Sequence, residues 1–415
     1  MKNITCQIQK AILKYRPISR KLCLVCKGSR LLCGRTSCPL LAKIKVQSPI
    51  QKKLKENIFG DSPSIFVGHK GYPNVFIGPL TSIEEESSEV LDNPAKWYGM
   101  NFEEIIRLRS ILVRGKIRQN VRKKDKFVEK AQEIALSIKP VDTEVEFNKR
   151  PRYSLSFSPI SQPVGPSGEI KKFNVVENAK IPKKVWKVID ENRKASHAIC
   201  ELYSRGYDVY YLTRILSSGA LGSEIAQRLV PTRWSITAVD DIVGKFLISR
   251  IKNYNLISDF MVFSNTYLYN HFEILLLPER WRFEMFEAWA PNTLWTLSYD
   301  TYAINVEREG YRGRSSYALS EGGGYYASRF AVAEALNKLK RQAGVIVFRE
   351  IYDGYIMPVG VWEVRENIRK AFEKKPRKFT TLKEALEDIR SRLRIPLEEY
   401  LKRSNFLLQQ KLCIF

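Results

Sequence analysis

The stretch Pro231-Thr232-Arg233-Trp234-Ser235-Ile236-Thr237-Ala238-Val239-Asp240-Asp241 lies between two apolar segments and carries an arginine, a tryptophan, three hydroxyls and two adjacent carboxylates. From it onward, Val239, Ile242, Val243, Phe246, Leu247 and Ile251 recur at three- and four-residue spacing, which predicts an amphipathic helix. Thr237 fits as its N-cap. Asp240 and Asp241 would then fall in the first turn, where unpaired N–H groups and the helix dipole favour negative charge. Capping accounts for both aspartates without chemistry, but it leaves Arg233 and Trp234 unexplained. Adjacent helical residues point about 100° apart, so at most one of the two aspartates easily faces a pocket with them.

Beyond this helix the pattern changes from helical to strand-like. Residues 261–263, 272–277 and 293–297 are short, bounded and aromatic-rich, as strands are. A triple glycine, Gly322-Gly323-Gly324 after Glu321, then precedes a long helix with Val332, Ala335, Leu336 and Leu339 as its stripe. Glycines before a helix let backbone N–H groups approach an anion, although a tight turn is the commoner reason for them. Tyr325 and Arg329 share a face at that terminus. The apolar run 344–348 reads as a buried strand, with Arg349 and Glu350 just past it. A capping box, Thr381 with Glu384, opens another helix.

Toward the N-terminus, residues 64–68 and 74–78 read as two strands joined by a turn at 69–73. Asn101 caps a helix running to about residue 112. The densest basic tract follows, with Arg107, Arg109, Arg114, Lys116, Arg118, Arg122, Lys123 and Lys124 as candidate DNA contacts. A solvated helix face is the alternative, and the scarcity of aromatics within the tract argues against base stacking by it. Residues 148–182 are rich in proline and serine and read as an ordered junction.

Cys23, Cys26, Cys33 and Cys38 have the spacing of a closed thiolate shell for a structural zinc ion. Free or redox-active thiols are the alternative. The chain closes on Gln409-Gln410-Lys411-Leu412-Cys413-Ile414-Phe415, which resembles the box by which repair and replication proteins dock on the sliding clamp PCNA. In that likeness Leu412, Ile414 and Phe415 are the apolar plug and Gln409 the polar contact, and a tail packed on its own domain is the alternative.

With 69 Lys and Arg against 44 Asp and Glu, the net charge of +25 points to a polyanionic partner. No apolar stretch approaches the roughly 18 residues that span a bilayer, and no signal-peptide core is evident, so a cytoplasmic protein acting away from membranes is expected. Three histidines, none paired in sequence, make a histidine-based hydrolase a poor fit.

Four blocks resemble the archaeal Nre family of DNA-repair proteins: the cysteine motif CLVCKGSRLLCGRTSCPLL, SPSIFVGHKGYPNVFIGPL, residues 230–244, and the block from the triple glycine through residue 366. The resemblance implies a DNA-repair factor recruited by PCNA, with zinc at its N-terminus. The expected fold is α+β, a mixed sheet surrounded by helices with a small N-terminal zinc-binding module. The expected parts are the zinc module at 1–60, a strand-hairpin and basic helical region at 61–147, the junction at 148–182, a main domain at 183–395 and the clamp-binding tail at 396–415. A second hypothesis is an enzyme acting on DNA or on a nucleotide-like ligand. Arg233, Trp234, Ser235, Thr237, Asp240 and Asp241 would then converge with Gly322, Gly323, Gly324, Tyr325, Arg329, Arg349 and Glu350 on one anion pocket. A zinc-containing RNA-binding protein is a third, weakened by the lack of an aromatic RNA-reading motif.

Overall fold

Alternating strands in one sheet and largely buried ones in the other give two six-stranded sheets, where the sequence suggested one. The computed structural model describes residues 25–27, 30–32, 38–84, 90–153, 162–291, 293 and 302–407. Two compact units divide the chain, one from Lys43–Leu155 with Pro163–Leu247, the other from Met1–Ala42, Ser156–Gln162 and Ile248–Phe415. They are called here the first and second units. The division falls between Leu247 and Ile248, so the domain expected at 183–395 is split between them.

In the first unit the strand order is β1 (Asn57–Ser62), β5 (Val141–Phe147), β6 (Ser167–Val175), β4 (Leu112–Asn120), β3 (Asn74–Ser82) and β2 (Ser64–Val67). Neighbours are antiparallel except for the parallel pair β4 and β6. Helices α1 (Pro39–Lys53), α2 (Phe102–Ser110), α3 (Lys126–Leu136), α4 (Lys183–Asp190), α5 (Ala195–Ser204), α6 (Val209–Ser217) and α7 (Thr232–Ile251) accompany the sheet. Val75, Ile77, Val113 and Val145 from the strands pack with Val128 and Ile134 of α3. Each such burial stabilises the unit by about 1.5–3 kcal/mol. Asn101 caps α2 in a full capping box with Glu104, as its sequence indicates. β3 and β4 run unusually close, because a Cβ on Gly78 would lie 2.2 Å from the Gly115 carbonyl oxygen.

Three local expectations change here. The basic tract is not a helix beyond Ser110; it is strand β4, which sends Arg114, Lys116 and Arg118 to one side and Val113 and Gly115 to the other. The junction at 148–182 contains β6, paired on both sides. Helix α7 begins at Thr232, so Thr237 is an interior residue rather than the cap.

In the second unit the order is β10 (Ala303–Glu309), β9 (Arg282–Trp289), β11 (Gly344–Ile351), β8 (Asn270–Leu277), β7 (Phe260–Tyr267) and β12 (Arg377–Phe379). β11 lies parallel to β9 and antiparallel to β8, and all its residues are buried. Its alternation serves two faces. Ile346 and Phe348 pack with Ala385 and Ile389 of α10 (Leu382–Arg390) and with Leu397 and Tyr400 of α11 (Leu397–Leu401). Arg349 faces the other way, toward α8 (Gly323–Leu339) and α9 (Trp362–Phe372). Thr381 caps α10 in the capping box read from the sequence. Among the described residues no helix is long and apolar enough to cross a membrane.

Candidate functional site

One end of the first unit's sheet gathers three chain segments that the sequence keeps far apart. β3 and β4 pair Asn74 with Asn120, so the hairpin tip at 69–73 and the turn at 121–124 share that end. The Val121 N–H donates to the Pro73 carbonyl at 2.9 Å, and the Leu229 N–H donates to the Val121 carbonyl at 2.8 Å. β2 is an edge strand, and an edge leaves N–H groups without a ladder partner. The Thr232 hydroxyl accepts the Val67 N–H at 3.0 Å, which fixes the start of α7 against that edge.

The result is a strongly cationic surface. Lys70, Arg118, Arg122, Lys123, Lys124 and Arg233 are all exposed there. Among the described residues only Lys123 has a carboxylate partner, Asp125 at 2.9 Å. Asp125 is itself occupied as the cap of α3, accepting the Val128 N–H. The other cations of the basic tract serve the fold. Arg107 pairs with Glu84 at 2.9 Å. Arg109 donates to the Pro163 carbonyl at 2.7 Å and lies over Trp97, while Arg114 lies 4.5 Å from the centre of the Phe66 ring. Burial depresses the pKa values of Arg109, Arg114 and Lys116. Arg107 is exposed but paired, so Arg118, Arg122 and Lys124 are the members of the expected set that face solvent without a carboxylate partner among the described residues.

The central run divides in the same way. Arg233 and Trp234 are exposed, whereas Ser235 is buried and donates weakly to the Val230 carbonyl at 3.4 Å. Asp240 is fully buried, and Asp241 pairs with Lys245 one turn on at 2.7 Å. Thr237 is half-buried inside the helix. The two aspartates therefore point into different surroundings, as adjacent helical positions require.

The second unit contains a buried network of ionisable groups. Arg349 donates to Glu287 at 2.5 Å and to the Asn270 side-chain oxygen at 2.7 Å, and reaches Glu363 at 3.4 Å. Asn367 donates to Glu363 at 2.9 Å and to the Asn270 carbonyl at 3.1 Å. Gly324 sits on this cluster, since a Cβ there would lie 3.3 Å from Glu287 and 3.6 Å from Arg349. Gly322 has φ of +54°, a conformation that side chains resist, and so makes the turn into α8. Burial pushes the Glu363 carboxyl up to about 7. Burial, reinforced by Glu287 and Glu307, also raises Glu321 well above the carboxylate range, and its oxygens make no well-formed hydrogen bond. This arrangement favours the protonated form of both carboxyl groups.

Arg329, expected to complete an anion pocket beside the triple glycine, is buried and donates to Glu309 at 2.7 Å. Tyr325 is fully buried against it. Glu350 lies on the opposite face of β11 from Arg349. It accepts from Tyr352 and Tyr400 and from the backbone N–H groups of Arg394 and Ile395, at 2.8–2.9 Å. The structure thus brings Gly324 and Arg349 together and separates Glu350 from them. The 231–241 block belongs to the first unit, and the 322–350 residues to the second.

Two family models match in succession, the archaeal Nre N-terminal model over residues 32–296 and the archaeal Nre C-terminal model over 309–412. This chain belongs to the archaeal Nre family. Its similar relatives include the Archaeoglobus fulgidus protein called DNA repair protein NreA, 41% identical over 88% of this chain and 92% of the relative. DNA repair protein NreB of the same organism is 38% identical, over 93% of this chain and 96% of its own. A DNA repair protein NreA from Haloferax volcanii is 36% identical, over 85% and 88%. No solved structure matches.

Of the four cysteines of the expected zinc set in this Nre chain, Cys26 and Cys38 are described and Cys23 and Cys33 lie outside the described residues. Cys26 is buried, and its sulfur accepts the Leu32 N–H at 3.4 Å. Among the described residues no group of three His, Cys, Asp or Glu side chains could hold a metal ion. The clamp-box residues Gln409, Leu412, Ile414 and Phe415 also lie outside the described residues. Sequence reasoning missed Asn270, Glu287, Glu363 and Asn367 of the Nre network. Glu287 sits within a run of apolar strand residues, the one local signal that it could be buried.

Proposed function

We propose that this chain is a DNA-repair factor that holds DNA on the cationic end of its first unit and is recruited to the sliding clamp PCNA through its C-terminal residues. The observation that carries the reading is the set Lys70, Arg118, Arg122, Lys124 and Arg233, exposed together with no carboxylate partner among the described residues. Each cation placed on a phosphate releases condensed counterions, so binding should weaken steeply with salt. The names of the Nre relatives support repair as the setting.

A structural zinc ion on Cys23, Cys26, Cys33 and Cys38 belongs to the same proposal. A full thiolate shell would brace the N-terminus and leave no position for water. The buried Cys26 sulfur and its amide donor fit that role. An anion pocket around the triple glycine has less support, because Glu309 neutralises Arg329 and Glu287 neutralises Arg349.

Fluorescence anisotropy on a duplex oligonucleotide over a range of salt concentrations tests the DNA reading. The triple variant Arg118→Ala, Arg122→Ala, Lys124→Ala should bind more weakly and lower the log–log salt slope by about one per phosphate contact removed. An unchanged slope would move the DNA elsewhere. Clamp recruitment is tested by PCNA pull-down with Phe415→Ala, where equal retention of the variant and the natural chain removes the tail from the reading.

A further inference from the structure

The cationic end also displays two large aromatic residues that the fold leaves partly exposed, their ring planes tilted by 50° to each other. Tyr72 is 42% exposed and Trp234 45% exposed, and their ring centroids lie 5.1 Å apart. Leaving a large aromatic partly uncovered forgoes some of the burial that normally stabilises it. Neither ring hangs on a loose segment. Tyr72 belongs to the hairpin tip, tied to the turn after β4 by the Pro73 carbonyl. Trp234 lies in the first turn of α7, tied to the edge strand and to Ser217 through the Thr232 hydroxyl. The same segments carry Lys70, Arg122 and Arg233, exposed and with no carboxylate partner among the described residues.

Cations alone would suit any nucleic acid. Exposed aromatics add a requirement, because in an intact duplex each base face is already covered by its neighbours. Only an unpaired base offers a free face, and stacking on it is indifferent to base identity. We propose that Tyr72 and Trp234 form a stacking platform for unpaired bases of single-stranded DNA, with Lys70, Arg122 and Arg233 on the flanking phosphates. This rests on the DNA-binding reading above and narrows it to strands opened by damage or processing. The basic tract itself contains few aromatics. The platform supplies them from two other segments, which is why stacking is not legible in the tract alone.

The test uses the full chain and fluorescein-labelled oligonucleotides: a single-stranded oligothymidylate, a matched duplex, the same duplex with a central unpaired bubble, and an oligouridylate RNA. The natural chain is compared with Tyr72→Ala, Trp234→Ala and with Tyr72→Phe, Trp234→Phe, each checked for an unaltered thermal melt. The alanine pair should lose roughly 10-fold or more on single-stranded and bubble DNA while staying within about 2-fold on the duplex. The phenylalanine pair should retain most of the preference. Equal losses on single-stranded and duplex DNA, or none on either, would overturn the platform and leave duplex binding standing. Tighter binding to the RNA than to the DNA would overturn the assignment to DNA. Failure of the natural chain to bind any DNA at low salt would overturn the proposed function as well.

Discussion

Replacing Glu363 by Gln should remove a pH dependence that this one carboxyl imposes on stability. Glu363 is fully buried, 3.4 Å from Arg349 and 2.9 Å from the Asn367 amide. Burial raises it from the usual 4.5 to about 7, against the opposing pull of Arg349 and Asn367. Between those values the folded protein keeps a proton that the unfolded chain has released. The stabilising contribution is therefore complete below the unfolded value and is lost as pH rises through 7. The whole gap corresponds to about 3 kcal/mol, and the interval from pH 5 to 8 to about 2.5 kcal/mol. For a unit of this size that is roughly 5–10 °C in Tm. Glutamine keeps the shape and cannot titrate. Thermal melts at fixed ionic strength should bring the two proteins close at pH 5, with the natural chain falling behind the variant by pH 8. Parallel Tm curves, or a natural chain that gains on the variant as pH rises, would refute the burial argument.

Arg329→Met leaves Glu309 buried without its cation and should cost about 3–5 kcal/mol in urea unfolding, with part of it regained by adding Glu309→Gln. Gly78→Ala drives a Cβ into the Gly115 carbonyl and should cost about 1–3 kcal/mol, whereas Gly115→Ala meets the more yielding Ile170 side chain and should cost less; their urea midpoints decide the order. Glu350→Ala strips one acceptor from four donors, so limited trypsin digestion should cut after Arg394 much faster than in the natural chain.

Local patterns marked those elements whose cause is local. The capping boxes at Asn101 and Thr381, the hairpin at 64–78 and the buried strand at 344–348 all form where their residues indicate. The alternation Val113-Arg114-Gly115-Lys116-Ile117-Arg118 was also in the sequence, but the density of charge hid a strand behind what read as a helix face. β9 escaped notice because Glu284 and Glu287 interrupt its apolar run, and only distant partners make those carboxylates tolerable inside. The site shows the same limit. Arg122 and Arg233 are visible as cations, yet the closeness of Tyr72 to Trp234 depends on strand pairing that no single stretch encodes.

The acids Glu350 and Glu284 grip the carboxyl end of the second unit from beneath. Glu350 takes the N–H groups of Arg394 and Ile395 and the Tyr400 hydroxyl, and Glu284 takes the Asn405 N–H and the Ser404 hydroxyl. Truncation is consequently a graded tool. Trimming that spares Leu407 keeps every one of these donors, so the proposed tether can be cut off while the body stays whole. Cutting back to residue 393 would strand two carboxylates in the interior and sacrifice the body with the tether.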